Sequence, residues 1–185
     1  AQQGVDPQSR KIHEDGVRGT AVTSNNNRSF DFGKGKAKTR EPLPNPYQIN
    51  ARRDVLISDA LDVLKEQKII VDENASRLKE GFIVTQPFVF AKGAVITQSE
   101  INRYAIVPES DAAYTRGRYT LTIEIQSIDG IQNNVSVTAK VEGKAESGLR
   151  SEWTNLQSSG VAEDEFLSKL IEAVTGKSPN EPPTQ

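Results

Sequence analysis

Side chains able to carry chemistry are sparse in this chain of 185 residues. It has no cysteine and one histidine, His13, which excludes thiolate nucleophiles, disulfides and nearly every transition-metal site by composition alone. No G-x-S-x-G occurs, so a serine nucleophile has no signature. His13 is the one side chain that titrates near neutrality. It lies in a polar stretch without helical or strand period, where a base cannot be held to the tolerance proton transfer needs. Paired carboxylates are the remaining route to hydrolysis, and the densest run is Glu163-Asp164-Glu165. Catalytic carboxylates converge from separate elements into a pocket. Three in succession at the head of an amphipathic segment instead match the first turn of a helix, where unpaired backbone N–H groups favour negative charge. Asp59 and Asp62 read as solvated positions on another helix. The expectation is a non-enzyme with no catalytic residue, no metal and no cofactor.

Binding is the alternative use of reactive side chains. Gly33-Lys34-Gly35-Lys36-Ala37-Lys38-Thr39 is rich in Gly and Lys, but it lacks the G-x-x-x-x-G-K-[ST] spacing of a phosphate loop and follows no apolar strand. What remains is a basic stretch, Lys34, Lys36, Lys38 and Arg40, which reads first as a solvated tail and next as a contact for an acidic protein surface or anionic headgroups. Nucleic acid is disfavoured, because few aromatics accompany these charges and the rest of the chain is acidic. Arg116 and Arg118 are two apart at the start of a strand and so share a face. Trp153 is the only tryptophan. Arg and Trp are enriched at interface hot spots, although a lone Trp on a strand beside an amphipathic helix is more often core. These seven residues, Lys34, Lys36, Lys38, Arg40, Arg116, Arg118 and Trp153, are the candidate partner-binding set.

The elements that must position them divide the chain in two. Residues 1–53 carry ten Lys/Arg against five acids, and the other 132 residues carry 13 against 20. Residues 1–50 are rich in Gly, Asn and Pro with scattered apolar positions, and cannot bury enough surface to offset their ordering entropy. They read as a disordered or extended basic tail that ends in Pro42-Leu43-Pro44-Asn45-Pro46, a stiff polyproline-like linker. A single domain is expected over residues 51–176, followed by a disordered tail at 177–185. Asn50 is placed to cap a helix with Leu56, Ala60, Val63 and Leu64 on one face. Residues 68–72 and 81–85 read as two strands around a polar turn. Residues 88–90 and 94–96 read as short edge strands, and residues 99–104 as a helical turn. Tyr119, Leu121, Ile123 and Ile125 alternate with polar residues, as do Val135, Val137, Ala139 and Val141, and Asp129-Gly130 turns between them, so a hairpin is predicted. A strand at 149–156 and a helix with Phe166, Leu167, Leu170, Ile171 and Val174 on one face complete the order. The fold class is α+β: an antiparallel sheet of about five strands with an N-terminal and a C-terminal helix packed on one face, helix-grip-like. No window approaches the ~18 consecutive apolar residues of a membrane span.

A chain that begins at Ala1 fits signal-peptide cleavage, trimming just after a lipidated cysteine, or loss of an initiator Met. Export or lipoprotein processing is the expectation, and the lipoprotein route would place a lipid anchor upstream of Ala1. Residues 55–64, 69–71 and Gly81-Phe82-Ile83-Val84-Thr85, followed by 119–125, 135–141 and 163–174, resemble in layout a helix-grip-type domain of a bacterial envelope lipoprotein. The family they are similar to is the BamC-like accessory lipoproteins of the outer-membrane β-barrel assembly machinery. The resemblance covers roughly residues 50–176 and rests on layout rather than on a diagnostic motif. It implies a non-enzymatic accessory or scaffold subunit at the bacterial periplasm or outer-membrane periphery, whose extended N-terminal segment lies on a protein partner in a membrane-associated complex. Two departures stand against it: no lipidated Cys opens the chain, and one domain is present where the best-known relatives have two. The alternative from a different class is a small-molecule or lipid-binding module with an apolar pocket between sheet and helix, and the alternative location is the cytoplasm.

Overall fold

Two long strands set the frame. In the computed structural model, which describes residues 40–107, 113–147 and 150–181, the predicted hairpin is β5 (Tyr114–Ser127) and β6 (Gln132–Ser147). Its register pairs Tyr119 with Val141, Leu121 with Ala139, Ile123 with Val137 and Ile125 with Val135. Each of these apolar residues is buried, and the polar residues between them fall on the opposite face, as period-2 alternation requires. Asp129 Oδ1 accepts from the Ile131 and Gln132 amides and fixes the turn.

The other strands flank this pair. β1 (Tyr47–Asn50) and β7 (Arg150–Ser158) lie along β6, β2 (Phe82–Val84) and β3 (Phe88–Lys92) lie along β5, and β4 (Ala105–Ile106) lies outside β7. All pairings are antiparallel. Among the described residues seven strands therefore occupy five columns, because β2 and β3 share one side of β5 and β1 and β7 share one side of β6. Helices α1 (Arg53–Glu66) and α3 (Val161–Thr175) pack together and on one face, with short α2 (Gln98–Asn102) beside β4. The α+β architecture with two helices on one face is the one the periodicities predict. Leu56 and Leu64 of α1 and Phe166 and Leu170 of α3 are buried against the sheet, each contributing about 1.5–3 kcal/mol.

The local readings differ in three places. Residues 47–50 belong to the sheet: Asn50 pairs with Gln132 in β1, and α1 starts from Arg52 without a side-chain cap. Residues 68–72 run beside 84–86 through the Val71–Thr85 bridge and the Gln86-to-Ile70 backbone bond, but form no continuous strand. Lys68 itself still belongs to the helix end, and its φ of 59° puts it in the left-handed region. The amides of Lys68 and Ile69 bond back to the Lys65 and Leu64 carbonyls, the Schellman pattern that ends helices, usually with Gly at this position. A lysine there carries strain of order 1 kcal/mol. Residues 94–96, read as an edge strand, form no strand, although the Ile96 amide donates to the Tyr114 carbonyl of β5 (2.8 Å); α2 follows through a Thr97–Glu100 capping box.

The linker is also docked rather than free. Asn45 donates through its side chain to the Val137 carbonyl (2.6 Å) and accepts from the Val137 amide (3.0 Å). It thereby completes the edge of β6 in the gap between β1 and β7. Residues 40–50 thus contact α3 and β6.

Candidate functional site

The acidic run at the head of α3 holds three segments of the chain. Gly160 precedes the helix with φ 84° and no side chain caps it. Glu163 accepts from the Ala139 amide (3.1 Å) and the Ser158 hydroxyl (2.9 Å), occupying the other open position of β6. Asp164, buried, accepts from Arg40 Nη1 (3.0 Å) and Nη2 (2.5 Å) and from the Leu43 amide (2.8 Å). Glu165 accepts from Arg103 Nη2 and the Tyr104 hydroxyl, both at 2.9 Å. The helix dipole favours all three carboxylates, but their hydrogen bonds go to a linker, a sheet edge and the α2–β4 segment. This departs from a plain helix-start reading. Tyr104 joins Phe88, Phe90 and Tyr119 in an aromatic cluster with ring centroids 4.7–6.0 Å apart. Burial, reinforced by the charge of Glu165, raises the phenol pKa of both Tyr104 and Tyr119 well above the ordinary tyrosine value.

Arg40, expected to present its charge to a partner, therefore turns inward. Its side chain is 16% exposed and also donates to Ser168 and Asn180. Lys34, Lys36 and Lys38 lie outside the described residues, as does His13.

Arg116, Arg118 and Trp153 meet on the sheet face opposite α1 and α3. Arg116 pairs with Lys144, Arg118 with Glu142, and Trp153 with Lys144 on the far side of β6. The Arg118 guanidinium carbon lies 3.7 Å from the Trp153 ring centroid, while Nε donates to Glu142 Oε2 at 2.9 Å. Lys140 Nζ lies 3.0 Å from Glu142 Oε1. Burial pushes the Glu142 carboxyl pKa up, but the hydrogen bonds and charges of Lys140 and Arg118 outweigh it, and the group sits below its usual range. Trp153 is thus half-buried under an arginine, not part of the apolar core. Strand register brings these residues together, and only the Arg116/Arg118 spacing was visible in the sequence. The result is a rigid, mostly basic patch with an aromatic plate.

A second feature escaped sequence reasoning. At the C-terminal end of α1 an apolar groove of about 570 Å³ is lined by Leu61, Ile69, Ile70, Val71 and Leu78, with Lys65, Lys68 and Glu73 at its margin. The groove lies beside the end of α1 rather than between helix and sheet, and buried side chains of α1 and α3 join the core cluster. The signal for the groove was the doublet Ile69-Ile70 after a helix end: Ile69 is buried, and Ile70 is 63% exposed.

Among the described residues no group of three His, Cys, Asp or Glu side chains is placed to hold a metal ion, and no helix is long and apolar enough to cross a membrane. In comparison with known proteins, the chain matches no family model and no curated protein.

Proposed function

We propose that the chain is a non-catalytic accessory or scaffold subunit of the bacterial cell envelope, acting at the periplasm or outer-membrane periphery, and that it binds a protein partner through its N-terminal segment and the uncovered face of its sheet. The layout resemblance to BamC-like accessory lipoproteins points to outer-membrane protein assembly as the setting. The observation that carries the reading is the Arg118–Trp153 stack. A large aromatic and an arginine, held by Glu142 on a face that no helix among the described residues covers, have the composition and low ordering cost of an interface hot spot. The docked linker supports the same reading, since Arg40 and Asn45 hold residues 40–45 against α3 and β6.

Site-specific photocrosslinking in the source cells tests it. A photoreactive residue at Thr138 on the open face is expected to trap one discrete envelope protein. The same residue at Asp62, on exposed α1, is not. Combining the Thr138 probe with Trp153→Ala or with deletion of residues 1–39 is expected to reduce the adduct at least tenfold. An adduct at Asp62 but not Thr138, or one indifferent to both changes, overturns the proposal.

A further inference from the structure

We propose that the groove at the end of α1 binds a free single-chain anionic amphiphile of the fatty-acid class, with the acyl chain on Leu61, Ile70 and Leu78 and the anionic head between Lys65 and Lys68. Three observations converge. The lining is apolar, and two of its side chains, Ile70 and Leu78, are 63% and 37% exposed, so an apolar ligand gains by covering surface that folding leaves in water. Its volume of about 570 Å³ falls in the roughly 300–1,000 Å³ range of small-molecule sites.

The third observation concerns charge. Lys65 lies in the last turn of α1, and Lys68 stands in a left-handed conformation at the position where helices usually carry Gly. A strained residue at a groove margin is the kind of feature that marks a function, and here the strain sets a second ammonium close in sequence to the first. Two lysines against the single Glu73 select an anion over a cation. The N-terminal segment of the chain is a poor occupant, because residues 1–39 carry seven Lys/Arg against four acids and would meet charge of their own sign.

Calorimetric titration of the whole chain tests this with dodecanoate, dodecyltrimethylammonium and dodecyl maltoside below their micellar concentrations, alongside sedimentation with phosphatidylglycerol vesicles. Dodecanoate is expected to bind with 1:1 stoichiometry, at least tenfold tighter than either other amphiphile, and vesicles are not expected to sediment the protein. Ile70→Ser is expected to lose dodecanoate binding. Lys68→Gly is expected to weaken it about tenfold while raising the melting temperature, an opposition that a merely structural lysine would not produce. Equal binding of all three amphiphiles, binding unchanged by both substitutions, vesicle binding without dodecanoate binding, or no binding at all overturns the assignment.

Discussion

Replacing Arg40 by Met should destabilise the domain more than any surface substitution. Arg40 makes a two-pronged ion pair with Asp164, whose side chain is 4% exposed, and the Leu43 amide adds a third donor to the same carboxylate. Exposed ion pairs contribute about 0–1 kcal/mol, but removing one partner of a buried pair leaves an uncompensated charge and costs about 3–5 kcal/mol. Arg40 sits at the margin and the Leu43 amide remains after substitution, so the lower end, about 3 kcal/mol, is expected. For a domain of roughly 140 residues this lowers the melting temperature by about 10 °C. Asp164→Leu should cost about 2 kcal/mol, since Arg40 keeps the Ser168 and Asn180 contacts. The double variant Arg40→Met/Asp164→Leu should lose no more than the worse single variant, which makes the coupling about 2 kcal/mol. Thermal and urea unfolding, followed by the fluorescence of Trp153 and by circular dichroism, measure all four proteins. A shift under about 2 °C for Arg40→Met, or single effects that add within about 0.5 kcal/mol, would refute the claim that this pair is a buried tie rather than a surface contact.

Other outcomes follow from the same geometry. Asn45→Ala strips the partners from both the amide and the carbonyl of Val137 and should cost about 2 kcal/mol, read as a fall in urea midpoint without a change in slope. A Cβ on Gly117 would lie 2.5 Å from the Phe90 ring; Gly117→Ala should cost about 1–3 kcal/mol by overpacking, and Phe90→Leu in the same chain should recover part of it. Tyr104 and Tyr119 have raised pKa values in the fold, so their contribution is complete below the unfolded tyrosine value of about 10 and is lost as pH rises above it. The decline is about 1.4 kcal/mol per pH unit for each. Urea midpoints between pH 9 and 11.5 should fall less steeply for Tyr119→Phe than for the parent chain, and identical slopes would contradict the assignment.

Much of the architecture was legible because its signals are local. The 119–125 and 135–141 alternation needs only the pleat of a strand, and the apolar stripes at Leu56 to Leu64 and Phe166 to Ile171 need only the helical period, so both helices and the central hairpin are written in short windows. The boundaries were less legible where two local rules compete. Asn50 satisfies the rule for a helix cap, yet its backbone is taken up by Gln132, more than 80 residues away. Pro42 to Pro46 satisfies the rule for a free linker, yet Asn45 answers an open amide and carbonyl on β6 that no window around it contains.

Function divides along the same line. The sequence by itself determined what the chain lacks, cysteine and all but one histidine, together with the basic-to-acidic change near residue 53 and the shared face of Arg116 and Arg118, because composition and period are properties of short stretches. It took the tertiary fold to set Arg40 against Asp164 rather than solvent, to lay Trp153 beneath Arg118 on the open face, and to bring Lys65, Lys68, Ile70 and Leu78 along one open groove. The physical reason is that an ion pair, a ring stack or a groove depends on distances between residues that register and packing bring together, and the free energy of a charge or an apolar side chain is set by which neighbour displaces its water.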